Sequence, residues 1–277
     1  MNDEAIRQEI VQDLRIGNGR VLYLEGRSDV PIFFALLGLK PPQVPDEGRT
    51  HQGVLVRGMK TERGSGANAV RQRVAVAGAS GSHFAGVRGL VDGDGDLHAE
   101  LAPCFDAPFA GQPHRWKTYC IENLLAQVGW PWSEAPDWRE VLRVYAPYAA
   151  LNRVRTRVSR YLAELGLAKF TNPALGQPLR TREEFEAQLI TDDDAFRRGV
   201  DVCALFRQES ERVDEALARP ELHEAHALIN GKWLVDVYAP TTMRRTPDAC
   251  RREWSGWVAA QGGHPEVRAW WQRWLGA

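Results

Sequence analysis

Apolar residues in the first part of the chain recur with the periods of a helix, a strand and a second helix. Residues 3–16 carry apolar side chains at helical spacing. Residues 21–24, Val-Leu-Tyr-Leu, form a short apolar run, which is typical of a strand covered on both faces in a parallel sheet. Residues 29–37 then predict a helix that begins with Ser28 or Asp29 as its cap.

The alternation of strand and helix continues beyond this first unit. A second strand is predicted at residues 54–56, a helix around Val70 and Val74, and a third strand at residues 87–91. Such alternation favours right-handed crossovers, a parallel sheet and a ligand site at the carboxyl ends of its strands. We therefore expect an α/β fold with a Rossmann-like parallel sheet and flanking helices.

The second half of the chain has a different character. Residues 141–165 and 185–217 predict Arg-rich amphipathic helices. For a chain of 277 residues we expect a core in residues 1–130, and in residues 131–277 a mainly helical lobe, inserted or appended, together with C-terminal helices. An apolar run within residues 226–240 is predicted to return to the sheet as a strand.

Charge, cysteine content and hydropathy limit the kinds of partner and the cellular compartment that we expect for this protein. The formal net charge is −1, so no global positive field points to a polyanionic partner, and any nucleic-acid surface must be local. The four cysteines are scattered singly, which argues against a zinc ribbon or a disulfide framework and favours a reducing cytoplasm. No apolar run approaches the roughly 20 residues that span a bilayer, so we expect no membrane segment.

Acidic residues stand where two predicted strands end. Glu25 and Asp29 follow the first strand, and Asp92, Asp94 and Asp96 follow the third. Alternate residues of an extended segment point the same way, so Asp92 and Asp94 can face one point that Glu25 approaches from a neighbouring strand. We therefore expect these carboxylates to converge at the carboxyl edge of the sheet.

Converging carboxylates repel one another unless a divalent cation neutralises them. Oxygen ligands suit Mg²⁺ or Mn²⁺, and magnesium commonly recruits the phosphates of its substrate. The pattern thus predicts one or two metal ions acting on a phosphate ester. The alternative interpretation is that Asp-Gly-Asp-Gly-Asp is a solvated turn and Glu25 a charge flanking a helix.

Four short segments carry a resemblance to a known family. Residues 24–29, Leu-Glu-Gly-Arg-Ser-Asp, and residues 90–94, Leu-Val-Asp-Gly-Asp, resemble the TOPRIM domain of topoisomerases, primases, maturases and OLD-family nucleases. The Glu-Gly-x-x-Asp form is most similar to the OLD-like branch. Residues 119–125 and 229–232 resemble segments of a bacterial TOPRIM group that includes the nuclease subunit of PARIS-type anti-phage systems.

This resemblance implies a metal-dependent endonuclease that hydrolyses phosphodiester bonds in DNA or RNA. It also implies a role as effector of an anti-phage system, with an ABC-type ATPase as partner. Two alternatives stay open: a non-catalytic docking subunit of an ATPase complex, and a phosphohydrolase acting on small phosphate esters. Whether the chain forms a homo-oligomer also stays open.

The resemblance further implies roles for individual residues. The expected catalytic residues are Glu25, Asp92, Asp94 and Lys232, the last as a cation at the scissile phosphate. The expected metal ligands all carry a carboxylate and are Glu25, Asp29, Asp92, Asp94, Asp96 and Glu122. The residues expected to contact nucleic acid are basic and are Arg27, Lys60 and Arg63.

Overall fold

Two compact units make up the chain. The computed structural model describes residues 2–42, 48–59, 66–92, 104–105, 112–118, 120–132, 135–164, 181–190, 201–218 and 229–276. The first unit combines Met1–Ser133 with Arg251–Ala277, and the second is Glu134–Cys250.

A largely parallel sheet forms the centre of the first unit. Strand β1 (Val21–Leu24) is parallel to its two neighbours, β3 (Val54–Gly58) and β4 (Val87–Val91). At the edges, β5 (His114–Arg115) is parallel to β4, whereas β2 (Gly48–His51) is antiparallel to β3. The order is β2-β3-β1-β4-β5, which confirms the predicted α/β class and the three predicted strands.

Helices flank the sheet and build the second unit. Those of the first unit are α1 (Asp3–Ile16), α2 (Asp29–Leu36), α3 (Gly66–Ala79) and α4 (Glu122–Val128). Those of the second unit include α5 (Trp138–Glu164), α6 (Arg182–Ile190), α7 (Val202–Leu217), α8 (Gly231–Trp233) and α9 (Ala239–Met243). The last two are α10 (Pro247–Ala260) and α11 (Pro265–Leu275). None of the helices in the described ranges combines the length and apolarity needed to cross a bilayer.

The two faces of the sheet are covered by different helices. Val21 and Tyr23 of β1 belong to a buried cluster with Ile10 of α1 and Val70 of α3. Successive side chains of a strand alternate between faces, so the buried Leu22 lies on the opposite face. Both faces of β1 are thus shielded from water, which explains why its sequence is an apolar run.

The tryptophans near the end of the chain complete the core of the first unit. The ring of Phe33 in α2 lies 5.6 Å from that of Trp271 and 6.5 Å from that of Trp270, centroid to centroid. The indole N–H of Trp254 donates to the carbonyl of Gly129 at 2.8 Å. The sequence prediction had grouped residues 131–277 together, but this packing joins residues 251–277 to the first unit.

The predicted strand within residues 226–240 is wrong for residues 229–240, the part of it that the structure describes. Residues 229–243 are described, and from Gly231 they are helical, with a π-helical turn at Leu234–Tyr238 between α8 and α9. The side chain of Asn230 caps this helix by accepting from the N–H of Lys232 at 2.9 Å. A short buried apolar run is compatible with either a helix or a strand. Here the N-cap at its start favours the helix.

Candidate metal and phosphodiester site

The carboxyl ends of β1 and β4 meet at a topological switch point. These two strands are parallel neighbours, and Leu24 pairs with Leu90 in their register. The chain leaves β1 toward β3 on one side and leaves β4 toward β5 on the other. In open parallel sheets the diverging connections leave a crevice at such a point, and ligands bind there.

Glu25 and Asp92 come together at this point, as the sequence predicts. The carboxylate of Glu25 accepts a hydrogen bond of 2.7 Å from the backbone N–H of Asp92. The Asp92 side chain is almost fully buried, at 2% exposure, and its carboxylate accepts a long hydrogen bond of 3.4 Å from the N–H of Ile121. Two adjacent strands and the segment before α4 therefore meet at Glu25 and Asp92, which we call the acidic centre.

Glu122 adds a third carboxylate to the elements around this centre. It is the residue after Ile121 and the first residue of α4, and it is 1% exposed. Within the described part of the chain, its Oε2 atom is buried without a hydrogen-bond partner. A buried carboxylate oxygen without a partner is unfavourable, and a hard divalent cation would satisfy it with the oxygen ligand that it prefers.

Asp29 is buried and holds the loop that carries Glu25. Its carboxylate accepts a 2.9 Å hydrogen bond from the N–H of Gly26 and a 3.3 Å hydrogen bond from the hydroxyl of Ser28. These contacts link the start of α2 back to the loop that follows β1 and so stabilise the β1–α2 turn. Asp29 therefore fixes the backbone on which the Glu25 side chain is mounted.

Two glycines let other elements approach this loop closely. A Cβ atom on Gly58, at the end of β3, would lie 2.4 Å from the carbonyl oxygen of Gly26. A Cβ atom on Gly66, at the start of α3, would lie 2.0 Å from the carbonyl oxygen of Glu25. No side chain fits at such distances, so glycine is required for these elements to reach the Glu25 backbone.

Other predicted site residues are placed elsewhere or not described. Asp94, Asp96, Lys60 and Arg63 lie outside the described residues. Arg27 is half-buried in the β1–α2 loop, whereas Lys232 is exposed in α8 of the second unit. Among the residues that are described, no three His, Cys, Asp or Glu side chains form a group able to hold a metal.

The sequence prediction missed the turn that leads into α4. The side chain of Asn123, which is fully buried, accepts hydrogen bonds from the N–H of Cys120 at 3.0 Å and from its thiol at 3.3 Å. The signal was present as a polar residue three positions after the start of the turn, which is the spacing of a capping box.

Comparisons of the chain with protein-family models, curated proteins and solved structures found no match.

Proposed function

We propose that this chain is a TOPRIM-type nuclease that uses Mg²⁺ or Mn²⁺ to hydrolyse phosphodiester bonds in DNA or RNA. The observation that carries the proposal is the contact of the Glu25 carboxylate with the N–H of Asp92 at a switch point of the sheet. This contact places the Glu25 carboxylate against the backbone of the residue that follows β4, at the edge where an α/β fold binds its ligands. The short TOPRIM-like segments described above include both residues.

The residues fit a hard divalent cation. Asp92 and Glu122 are buried carboxylates on elements joined by the Asp92–Ile121 contact, and one oxygen of Glu122 has no hydrogen-bond partner among the described residues. Because no three described side chains form a metal-binding group, Asp92 and Glu122 would hold the cation together with Asp94 or Asp96, which come soon after Asp92 in the sequence. When bound, such a cation stabilises the charge that develops on the oxygens of a phosphate ester during displacement.

Three residues in or next to the β1–α2 loop would bind the substrate or keep the site in its conformation. Glu25 would act as a proton acceptor or metal-bound carboxylate, since its position is fixed by the Asp92 N–H. Asp29 would keep the Glu25 loop closed through Gly26. Arg27, on the same loop, would contact the nucleic-acid backbone as a cation.

A cleavage assay with matched variants tests this proposal. Purified wild type, Glu25→Gln, Asp92→Asn and Glu4→Gln are incubated with supercoiled plasmid, single-stranded DNA and tRNA, with Mg²⁺, Mn²⁺ or EDTA. Glu4 is an exposed carboxylate of α1 and serves as the matched control. We expect the two site variants to lose cleavage by about 100-fold or more, because several kcal/mol of stabilisation depend on the site.

The outcomes separate the proposal from its rivals. Equal cleavage by wild type and both site variants would show that the activity lies elsewhere. Turnover of p-nitrophenyl phosphate without cleavage of any polymer would identify a phosphohydrolase of small esters. If a co-expressed ABC-type ATPase copurifies with wild type and site variants alike, while no metal-dependent cleavage occurs, the chain is a docking subunit.

A further inference from the structure

The turn that leads into α4 is closed by hydrogen bonds among buried groups. The hydroxyl of Thr118 donates to the carbonyl of Cys120 at 3.0 Å. The N–H of Asn123 donates to that same carbonyl at 3.2 Å, while the Asn123 side chain accepts from the Cys120 N–H at 3.0 Å. Cys120 and Asn123 are thus bonded in both directions, which fixes the conformation of the two residues between them.

One of those two residues contacts the acidic centre through its backbone, and the other carries a buried carboxylate. The N–H of Ile121 donates to the Asp92 carboxylate at 3.4 Å. Glu122 follows, buried and with Oε2 lacking a hydrogen-bond partner among the described residues. The orientation of both groups depends on the backbone between positions 120 and 123, since neither the Ile121 N–H nor the Cα–Cβ bond of Glu122 can rotate independently of it.

We propose that Asn123 is a positioning residue that holds the Ile121 N–H against the Asp92 carboxylate and sets the orientation of Glu122 beside it. Its own carboxamide oxygen is engaged by the Cys120 N–H and thiol, so it acts through the turn. This inference rests on the proposed metal site and adds the group that sets the geometry of that site. Groups that orient metal ligands affect metal affinity strongly without touching the ion.

The test is a Mn²⁺ titration followed by the EPR signal of the free ion, which needs no substrate. We expect Asn123→Ala to raise the Mn²⁺ dissociation constant about 10- to 100-fold, as loss of groups that support metal ligands commonly does. Cleavage should recover to within several-fold of wild type at saturating Mn²⁺, because the ligands themselves are intact. Asn123→Asp retains an acceptor oxygen for the Cys120 N–H and should restore most of the affinity.

Two measurements distinguish positioning from a general loss of stability. Tyr23→Phe removes a buried hydrogen bond in the same unit and provides a destabilised control whose Mn²⁺ affinity should equal that of wild type. The thermal midpoint of Asn123→Asp without metal should also return toward wild type. The added negative charge alone would not produce that recovery.

The results of these experiments distinguish failure of the positioning role of Asn123 from failure of the proposed function. If folded Asn123→Ala binds Mn²⁺ as tightly as wild type, Asn123 does not position the site, although the proposed function stands. An increase in the dissociation constant that Tyr23→Phe shares equally would also overturn the inference. If wild type itself binds no Mn²⁺ and cleaves nothing, the proposed function fails.

Discussion

Glu25 and Asp92 are 67 positions apart in the sequence, and the backbone N–H of Asp92 donates a 2.7 Å hydrogen bond to the Glu25 carboxylate. The bond joins the ends of two parallel strands, so it contributes to stability as well as to the proposed chemistry. The two contributions are separable, because an amide oxygen can replace a carboxylate oxygen as the acceptor while its charge is lost.

Glu25→Gln is therefore expected to fold with nearly wild-type stability, whereas Glu25→Ala leaves the Asp92 N–H without this acceptor. The free energy of unfolding of Glu25→Ala should fall by about 1–3 kcal/mol relative to Glu25→Gln. Urea unfolding followed by tryptophan fluorescence measures both values. Equal stability of the two variants would mean that the hydrogen bond contributes nothing measurable.

Gly66 and Gly256 form a matched pair of helical glycines with opposite surroundings. A Cβ atom at Gly66 would lie 2.0 Å from the Glu25 carbonyl oxygen, whereas one at Gly256 would meet nothing within 4 Å. Gly256→Ala should stabilise the protein by about 0.5–1 kcal/mol, the usual gain of alanine in a helix. Gly66→Ala should instead destabilise it, by about 2 kcal/mol or more, because α3 must move away from Glu25.

Unfolding midpoints of both variants check this prediction, and cleavage assays extend it. Gly66→Ala should lower cleavage as it displaces the Glu25 backbone, and Gly256→Ala should leave cleavage unchanged. A stabilising Gly66→Ala would contradict the close approach between α3 and the β1–α2 loop.

Tyr23 and Asp13 form a buried polar pair between β1 and α1. The Tyr23 hydroxyl donates to Asp13 at 2.8 Å, and Arg57 forms a salt bridge with the same carboxylate. Burial, followed by the charge of Asp13, raises the pKa of Tyr23 well above its usual range, so the hydroxyl stays a donor. Tyr23→Phe should lower the free energy of unfolding by about 1–2 kcal/mol, as measured in urea.

Asp13→Ala should cost more than Tyr23→Phe, because it leaves both the Tyr23 hydroxyl and Arg57 without their acceptor. The reverse order of effects would show that Asp13 is not the centre of this network.

His264 is expected to make the stability of the protein depend on pH. Burial lowers the pKa of this imidazole below its usual 6.5, and the nearby carboxylate of Glu266 only partly opposes this effect. As the pH falls below about 6.5, the unfolded chain takes up a proton that the folded ring resists, so the free energy of unfolding decreases. Unfolding midpoints in urea at pH 7.5 and 5.5 measure this loss.

His264→Asn should reduce the difference between the two pH values, whereas His83→Gln, at an exposed position, should leave it unchanged. A part of the difference should persist in His264→Asn, because burial also lowers the pKa of His51. An unchanged pH dependence in His264→Asn would assign the effect to other groups.

The parts of the fold that were predicted correctly are the buried strands, because burial requires apolar residues that are easy to recognise in the sequence. Residues 21–24 are a strand covered on both faces and appear as an apolar run, and residues 87–91 carry the buried apolar residues Val87, Leu90 and Val91. The edge strand Gly48–His51 was not predicted because its sequence, Gly-Arg-Thr-His, lies at the rim of the sheet and needs few apolar side chains. Strand β5 spans only His114–Arg115, too short for any periodicity.

Some residues of the candidate site could likewise be predicted from the sequence, and others could not. Glu25 and Asp92 were predictable as neighbours because each follows a recognisable strand, and parallel strands end at the same edge. The Asn123 turn was not predicted, because a single polar side chain at capping-box spacing is a weak signal and its partners are main-chain groups of the turn. Lys232 was expected at this site from the resemblance of residues 229–232 to a TOPRIM segment. It lies in α8, and its role stays a prediction.

The position of the last tryptophans has a consequence for synthesis of the protein on the ribosome. Phe33 emerges early, yet its partners Trp270 and Trp271 are translated only after the whole second unit. Until then the part of the α2 surface that packs against these tryptophans remains exposed to chaperones and to self-association. The first unit therefore cannot finish folding until the second unit has been synthesised, although most of its own residues are made earlier.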